Sequence, residues 1–391
     1  MKLKFNCESL IITCYVLLIL IGLPLVYHNY YYDILITKYK YYYFCTLGML
    51  VLMLITCVYR MFWIKLVQKQ SFPSWKPLSN TDICVLAFGI IILISNIVSD
   101  FKYEAFWGNE GRFCGTFLLL LHISAYFCIS RHLQFREWYV DIALFVGLLV
   151  CLFGLTDFFQ MDLLGFKEKI SEKQRYLFTS FVGNINTYTA LVSIYMGTAS
   201  VLWISCKNKW KSIWYYFNMF ITFLALITGL SDNAYLSLAS VFALLPLYTF
   251  QTKQGICRYV IMLASFFTSL KLVQCFSTIA DTIVIESFYT SIIQSKLFLP
   301  LLILLWIIAG VSLIASCKNR SASRNTPSII WKIWLGFLVL AFLGLLGILI
   351  DANCFGHGNH YGSVQTLLEF TDDWGISLCL LQHQLCGHFH V

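Results

Sequence analysis

The chain alternates between long apolar runs and short polar connections from one end to the other. A helix needs about 20 apolar residues to cross the hydrocarbon core of a bilayer, and eleven runs approach that length. Backbone groups in lipid must be satisfied within their own segment, so these runs predict helices and not barrel strands. The predicted spans are roughly 9–26, 42–58, 82–99, 114–130, 138–157, 185–205, 213–230, 233–250, 258–275, 297–316 and 329–350.

Composition excludes a soluble or a disordered protein. Hydrophobic residues make up 59% of the 391 positions and charged residues 12%, whereas soluble domains carry about 45–50% and about 25%. We therefore predict an all-α, polytopic transmembrane helix bundle of about eleven helices over residues 1–350. Residues 351–391 are predicted to form a truncated outer loop with an atypical tail.

The basic residues predict the orientation of the bundle. Cytoplasmic loops of membrane proteins carry an excess of Lys and Arg. With the N-terminus inside, seventeen basic residues fall on the inner side, nine on the outer side and one, Lys271, within a span. The charges lie in short clusters between apolar runs, so the net charge of +8 indicates contact with membrane lipid and no nucleic-acid partner.

Candidate chemistry lies in the predicted outer loops, and each candidate has two interpretations. Arg112, at a membrane edge, is either a snorkelling anchor or a bidentate phosphate ligand. The turn at 183–186 is either a simple helix cap or an anion site at a helix N-terminus. Asp232 is either a cap of the hairpin between two spans or an acid.

Cysteine and histidine suggest neither a disulfide framework nor a metal site. The fifteen cysteines are odd in number and contain no C-x-x-C pair. The spacing of Cys354, His357 and His360 matches no standard zinc pattern. We therefore predict no metal.

Four features in a fixed order resemble a known family. They are a Gly-x-x-Gly-Arg-x-x-Gly segment before a span, S-F-V-G-N-x-N opening another, a short polar hairpin, and Asp-Asp-Trp-Gly in an outer loop. Together they cover most of residues 85–375, and their order resembles the O-antigen ligase and O-antigen polymerase superfamily of bacterial envelope glycosyltransferases. The residues that carry the resemblance are Gly108, Gly111, Arg112 and Gly115, Ser180 to Asn186, and Asp372 to Gly375.

The resemblance implies an enzyme at the outer face of the bacterial plasma membrane. Such an enzyme moves a glycan from an undecaprenyl diphosphate carrier to an acceptor, without metal, nucleotide sugar or other cofactor. It implies a substrate-binding role for residues in the outer loops, while no catalytic residue is assigned. These residues are Arg112, Arg175, Asn184, Asn186 and Asp232.

The chain departs from the family in two places. Many members have an arginine after the hairpin serine, where this chain has Asp232. Members also continue after Trp-Gly with Arg-Gly and a long histidine-bearing loop, whereas here Gly375 is followed by ISLCLLQHQLCGHFHV. From this tail we expect a truncated enzyme with little or no transferase activity, and His383, His388 and His390 take no catalytic role.

Two other classes stay open. A polytopic transporter or lipid-linked oligosaccharide flippase would favour paired halves with helices broken by Gly or Pro. The chain has six prolines and no convincing similarity between its halves. A non-catalytic membrane scaffold is the third interpretation.

Overall fold

Helices dominate the computed structural model, which describes residues 7–63, 77–109, 112–168, 170–279, 287–318 and 329–354. The first helix, α1, runs on through a π-helical turn at Leu18–Gly22 into the short helix α2. The helices are α1 Cys7–Leu17, α2 Leu23–Leu25, α3 Ile34–Phe62, α4 Asn80–Val98, α5 Lys102–Trp107, α6 Thr116–His132, α7 Trp138–Phe158, α8 Ile185–Ser205, α9 Lys209–Ile227, α10 Asp232–Thr249, α11 Lys253–Ile279, α12 Ser287–Gln294, α13 Phe298–Lys318 and α14 Ile330–Cys354.

Each apolar run of the sequence overlaps helical structure, and the first run extends from α1 through the π-helical turn into α2. Six helical segments of the described chain are long and apolar enough to cross a membrane, which indicates a multi-pass membrane protein. They are Cys7–Leu25, Ile34–Phe62, Asn80–Val98, Trp138–Phe158, Ile185–Ser205 and Lys253–Ser277. Eleven crossings and an inner N-terminus stay predictions. Residues 355–391, which include most of the predicted tail, lie outside the described residues.

Contacts between helix ends show that the first helices run back and forth between two opposite faces. On one face, Glu8 of α1 accepts hydrogen bonds from Arg60 Nη1 near the end of α3, at 2.9 and 3.1 Å. Nδ1 of His132, at the end of α6, lies 3.2 Å from the same carboxylate. On the other face, Tyr31, between α2 and α3, donates a 2.9 Å hydrogen bond to Ser180 O in the connection after α7. This alternation is the one expected for successive crossings.

Two glycines of α7 receive two tyrosines of α8. A Cβ at Gly147 would lie 2.7 Å from the ring of Tyr195, and a Cβ at Gly154 would overlap Oη of Tyr188. The pairs are seven residues apart on each helix and run in opposite directions, as antiparallel neighbours require. Small residues allow close helix approach where lipid supplies no hydrophobic driving force. The Gly154 pair lies at the end of α7 that carries the site described below.

Two buried clusters join helices that are distant in sequence. Ile12 and Tyr15 of α1 pack with Met49 of α3 and Ala125 of α6. A second cluster joins α9, α11, α12 and α13. Its buried members are Ile227, Leu270, Val273, Tyr289, Ile293, Phe298 and Leu302.

The chain divides into two units. The first contains Met1–Phe242 and Cys257–Lys318, and the second contains Ala243–Ile256 and Asn319–Val391. Within the second unit, Trp334 Nε1 donates a 2.8 Å hydrogen bond to Ala243 O. The Trp334 ring also meets Phe250 edge-on at 5.6 Å. The features that follow belong to the first unit.

Candidate functional site

The connection between α7 and α8 is a folded segment with structure of its own. It contains a 3-10 helix, Glu172–Leu177, and two short antiparallel strands, β1 Phe178–Thr179 and β2 Gly183–Asn184. Gly183 has φ +91 and a Cβ there would lie 3.1 Å from Ile34 Cγ2, so the turn into α8 favours glycine. Over the residues that the structure describes, the all-α interpretation holds apart from this two-residue pairing.

Aromatic rings hold this connection against the rest of the first unit. Phe166 is 2% exposed, and its ring centroid lies 4.7 Å from Tyr27, 5.2 Å from Tyr31 and 5.6 Å from Phe153. Phe181 stacks on Phe153 at 4.2 Å. Aromatic pairs at these distances stabilise beyond the area that they bury, so the connection is positioned by packing.

Asp157, at the end of α7, is the polar centre of the connection. Its Oδ2 accepts hydrogen bonds from Ser180 N at 2.6 Å, Thr179 Oγ1 at 3.3 Å and Tyr31 Oη at 3.4 Å. Lys167 Nζ lies 3.4 Å from Oδ1, and the two side chains are only 15% and 3% exposed. A buried carboxylate with this many partners fixes the geometry of the segments around it.

Tyr31 is a neutral donor in this network. Burial, the neighbouring carboxylates of Asp157 and Asp162, and its hydrogen bond to Asp157 all raise the pKa of the phenol well above its ordinary value. The proton therefore stays on Oη at neutral pH and is available to Ser180 O and to Asp157.

A cavity of about 460 Å³ opens between this connection and the start of α8. That volume falls within the about 300–1,000 Å³ range of small-molecule sites. Among its described lining residues, three carboxylates face two cations. These charged residues are Asp157, Asp162, Glu172, Lys167 and Arg175.

Backbone strain concentrates at the cavity. Gln160, Asp162 and Leu230 line it and have φ values of 56, 35 and 44, in the left-handed region that non-glycine residues rarely adopt. Ser180, next to the lining residue Thr179, has φ 55. Such residues cluster at functional sites, where the surrounding structure holds them.

The turn before α8 meets the turn before α10. Asn184 caps α8, because its Oδ1 accepts from Asn186 N at 3.0 Å and Thr187 N at 3.2 Å. Ser231 Oγ donates to Asn186 Oδ1 at 2.7 Å, and Asn233 Nδ2 donates to Asn186 O at 3.4 Å. The cap interpretation of Asn184 is therefore observed, and the cap occupies two of the amides that an anion at this helix end would use.

Arg112 and Arg175 lie in different surroundings. Arg112 is exposed on a tight loop whose ends touch, because a Cβ at Gly108 would lie 2.8 Å from Gly115 N. It is not among the described residues that line the cavity. Arg175 is also exposed but lines the cavity, and its Nε donates to Ile170 O at 3.3 Å.

Of the five predicted substrate-binding residues, Arg175 alone is among the described residues that line the cavity. Ile185, which lies between the predicted residues Asn184 and Asn186 but was not itself predicted, also lines it. Asp232 is the first residue of α10, two positions after the lining residue Leu230. Residues 372–375 and the tail histidines lie outside the described residues.

Sequence reasoning missed Asp157, Lys167 and Tyr188 as cavity residues. Asp157 was the last residue of a predicted span. An acidic residue within a membrane span often marks a functional site, so its position could have identified it as a candidate. Tyr188 lies between Thr187 and Thr189 in the first turns of α8, and Lys167 was counted only for its charge. No motif in the sequence marks either of them.

No protein-family model, curated protein or solved structure matches this chain. The functional argument therefore depends on the residues and on the geometry of the cavity.

Proposed function

We propose that this chain is a multi-pass membrane glycosyltransferase of the O-antigen ligase and polymerase type, in the bacterial plasma membrane. It transfers a glycan from an undecaprenyl diphosphate carrier to an acceptor hydroxyl at the outer face. The observation that carries the proposal is the mixed-charge cavity beside the S-F-V-G-N-x-N turn, where Arg175 and Lys167 meet three carboxylates.

The position of the cavity suits a substrate whose anchor stays in lipid. It lies where α7 ends and α8 begins, and Thr228 and Leu230 between α9 and α10 also line it. These helix ends share one face of the bundle, and the predicted orientation puts that face outside. A lipid carrier in the membrane presents its diphosphate and glycan at this depth.

Arg175 fits the leaving group of the proposed reaction. The bond between the glycan C1 and the diphosphate oxygen breaks, and a new bond forms between C1 and the acceptor oxygen. The acceptor proton is released, and undecaprenyl diphosphate leaves with the negative charge. Arg175 offers a planar fork of donors for two phosphate oxygens, and charge-assisted bonds of this kind stabilise a departing anion.

A single-turnover assay tests the proposal. The purified chain in liposomes, in excess over a labelled undecaprenyl diphosphate-linked glycan, is mixed with acceptor, and free undecaprenyl diphosphate and glycosylated acceptor are measured. Because the sequence predicts little transferase activity, we expect both products to form slowly, in amounts that excess protein makes detectable. We expect Arg175→Lys to slow their release further, by about tenfold or more, since a lost charge-assisted bond is worth about 1.5–3 kcal/mol. Arg136→Lys, in an exposed connection on the predicted inner side, is the matched control.

Two results would contradict the transferase. One is the absence of undecaprenyl diphosphate release by the parent chain at any protein concentration. The other is movement of the intact lipid-linked glycan across the bilayer without a change in its covalent attachment, which would identify the chain as a flippase.

A further inference from the structure

Three polar atoms at the cavity are buried without a hydrogen-bond partner among the described residues. They are Tyr188 Oη, Asp157 Oδ1 and Asp162 Oδ1. Tyr188 is 1% exposed and Asp157 is 7% exposed, and both residues line the cavity. Lys167 Nζ lies 3.4 Å from Asp157 Oδ1 and balances its charge. Buried polar groups in proteins are almost always hydrogen-bonded, so each exception requires an explanation.

The charges of the cavity argue against a polyanion deep inside it. Carboxylates outnumber cations three to two among the described lining residues, and Lys167 is already paired with Asp157. A diphosphate next to Asp157, Asp162 and Glu172 would meet like charge at short range, which disfavours it. Arg175, which is exposed, is the cation that remains for phosphate at the rim.

The same lining suits a neutral ligand that is rich in hydroxyl groups. Carboxylates accept short, strong hydrogen bonds from hydroxyls, and the Tyr188 hydroxyl both donates and accepts. Phe158 and Phe178 also line the cavity and offer apolar ring surface to the C–H face of a sugar. Small-molecule sites combine these two features: a mostly apolar wall and a few convergent polar groups.

We infer that the cavity binds a sugar ring of the glycan and that Tyr188 and Asp157 are the residues that recognise it. The inference rests on the proposed function and refines it, because it separates a sugar site in the cavity from a phosphate site at the rim near Arg175. Tyr188 Oη and Asp157 Oδ1 gain their missing hydrogen bonds from the hydroxyls of the ring.

Tyr188→Phe tests the inference without disturbing the fold. The hydroxyl that it removes has no partner in the described protein, so the melting temperature should stay the same or rise. Tyr195→Phe is the matched control, since Tyr195 lies on the same helix and packs on Gly147 as Tyr188 packs on Gly154. Asp157 is less suitable as a first variant because it also holds Ser180 and Lys167.

The probes are methyl glycosides of the common envelope hexoses and N-acetylhexosamines, and inorganic pyrophosphate. Binding to the purified full chain in detergent is followed by saturation-transfer NMR. We expect at least one glycoside to bind the parent and Tyr195→Phe equally, and to bind Tyr188→Phe about tenfold more weakly. Pyrophosphate binding should be the same in all three proteins.

The outcomes separate this inference from the proposed function. If no glycoside binds the parent, or if Tyr188→Phe binds as the parent does, the sugar site is wrong, whether or not the transfer assay succeeds. If a glycoside binds through Tyr188 while the transfer assay yields no products, the sugar site stands and the transferase does not. Pyrophosphate binding that falls with Tyr188→Phe would mean that the cavity is the phosphate site.

Discussion

Ser231 Oγ donates a 2.7 Å hydrogen bond to Asn186 Oδ1, across 45 positions of sequence. Ser231 belongs to the polar turn before α10 and Asn186 to the first turn of α8, so this bond links two of the segments on which the family resemblance depends. Ser231 is 6% exposed. The bond lies directly beside the cavity, since Leu230 and Ile185 both line it.

Replacing Ser231 by alanine should loosen this link. We expect Ser231→Ala to lower the free energy of unfolding by about 0.5–1.5 kcal/mol, the net value of one hydrogen bond, measured by thermal unfolding in detergent. Ser237→Ala is the control, because among the described residues Ser237 Oγ donates to Asn233 O, one turn earlier on its own helix. If the two variants unfold at the same temperature, the hydrogen bond between the two turns contributes nothing to the stability of the chain.

Gly154→Ala should destabilise the chain through the α7–α8 contact. The added methyl group would overlap Tyr188 Oη, and inserting a methyl group into a packed site costs about 1–3 kcal/mol. Gly197→Ala is the control, since the nearest side-chain atom there is Val241 Cγ2 at 3.9 Å and a helical Gly→Ala change stabilises by about 0.5–1 kcal/mol. If Gly154→Ala leaves the stability of the chain unchanged, α7 and α8 can move apart to accept the methyl group without an energetic cost.

Asp157→Asn should release the connection between α7 and α8. The amide loses the ion pair with Lys167 and weakens the bond from Ser180 N. We expect faster proteolysis within residues 160–177 than in the parent, measured on the purified chain by mass spectrometry of the fragments. Glu168→Gln, at an exposed position of the same connection, should be cleaved at the parental rate. If both variants are cleaved alike, Asp157 does not hold the connection.

Arg112 distinguishes an anchor from a phosphate ligand. Lysine replaces arginine as a snorkelling anchor but does not offer a planar fork of donors. If Arg112 is a bidentate ligand, Arg112→Lys should bind an undecaprenyl diphosphate analogue about tenfold more weakly than the parent, because each charge-assisted bond is worth about 1.5–3 kcal/mol. Equal affinity, with both proteins inserted in the membrane, would remove Arg112 from the proposed phosphate site and leave Arg175 as the arginine proposed there.

The predicted orientation can be tested with two cysteines. Cys114 lies after the α5 loop and is exposed, while Cys206 lies in the turn between α8 and α9. In variants that keep one cysteine each, an impermeant maleimide applied to intact cells should label Cys114 and leave Cys206 unlabelled until the cells are opened. The reverse pattern would invert the topology and place the cavity on the inner face.

The positions of the helices are largely readable from the sequence. Apolar length is a local property, so the run at 185–205 coincides with α8, Ile185–Ser205. The capping role of Asn184 was among the sequence interpretations for the same reason, because a cap needs only its own neighbours. The start of α3 was placed at residue 42, whereas the helix begins at Ile34. Lys38 is tolerated there because its Nζ donates to Leu23 O and Pro24 O at 2.7 and 3.0 Å.

The sequence by itself determined a helical membrane protein with polar turns at its helix ends, and it drew attention to Arg175 and to the turn at 183–186. Only the tertiary structure decided that Asp157 contacts Tyr31, Ser180 and Lys167, and that Tyr188 brings to the cavity a hydroxyl with no hydrogen-bond partner among the described residues. Tyr31 and Asp157 are 126 positions apart, and a periodic pattern records only that each residue is polar or apolar. Which polar groups meet depends on how the helix ends assemble, and that assembly is set by contacts such as the one between Gly154 and Tyr188, which no local pattern contains.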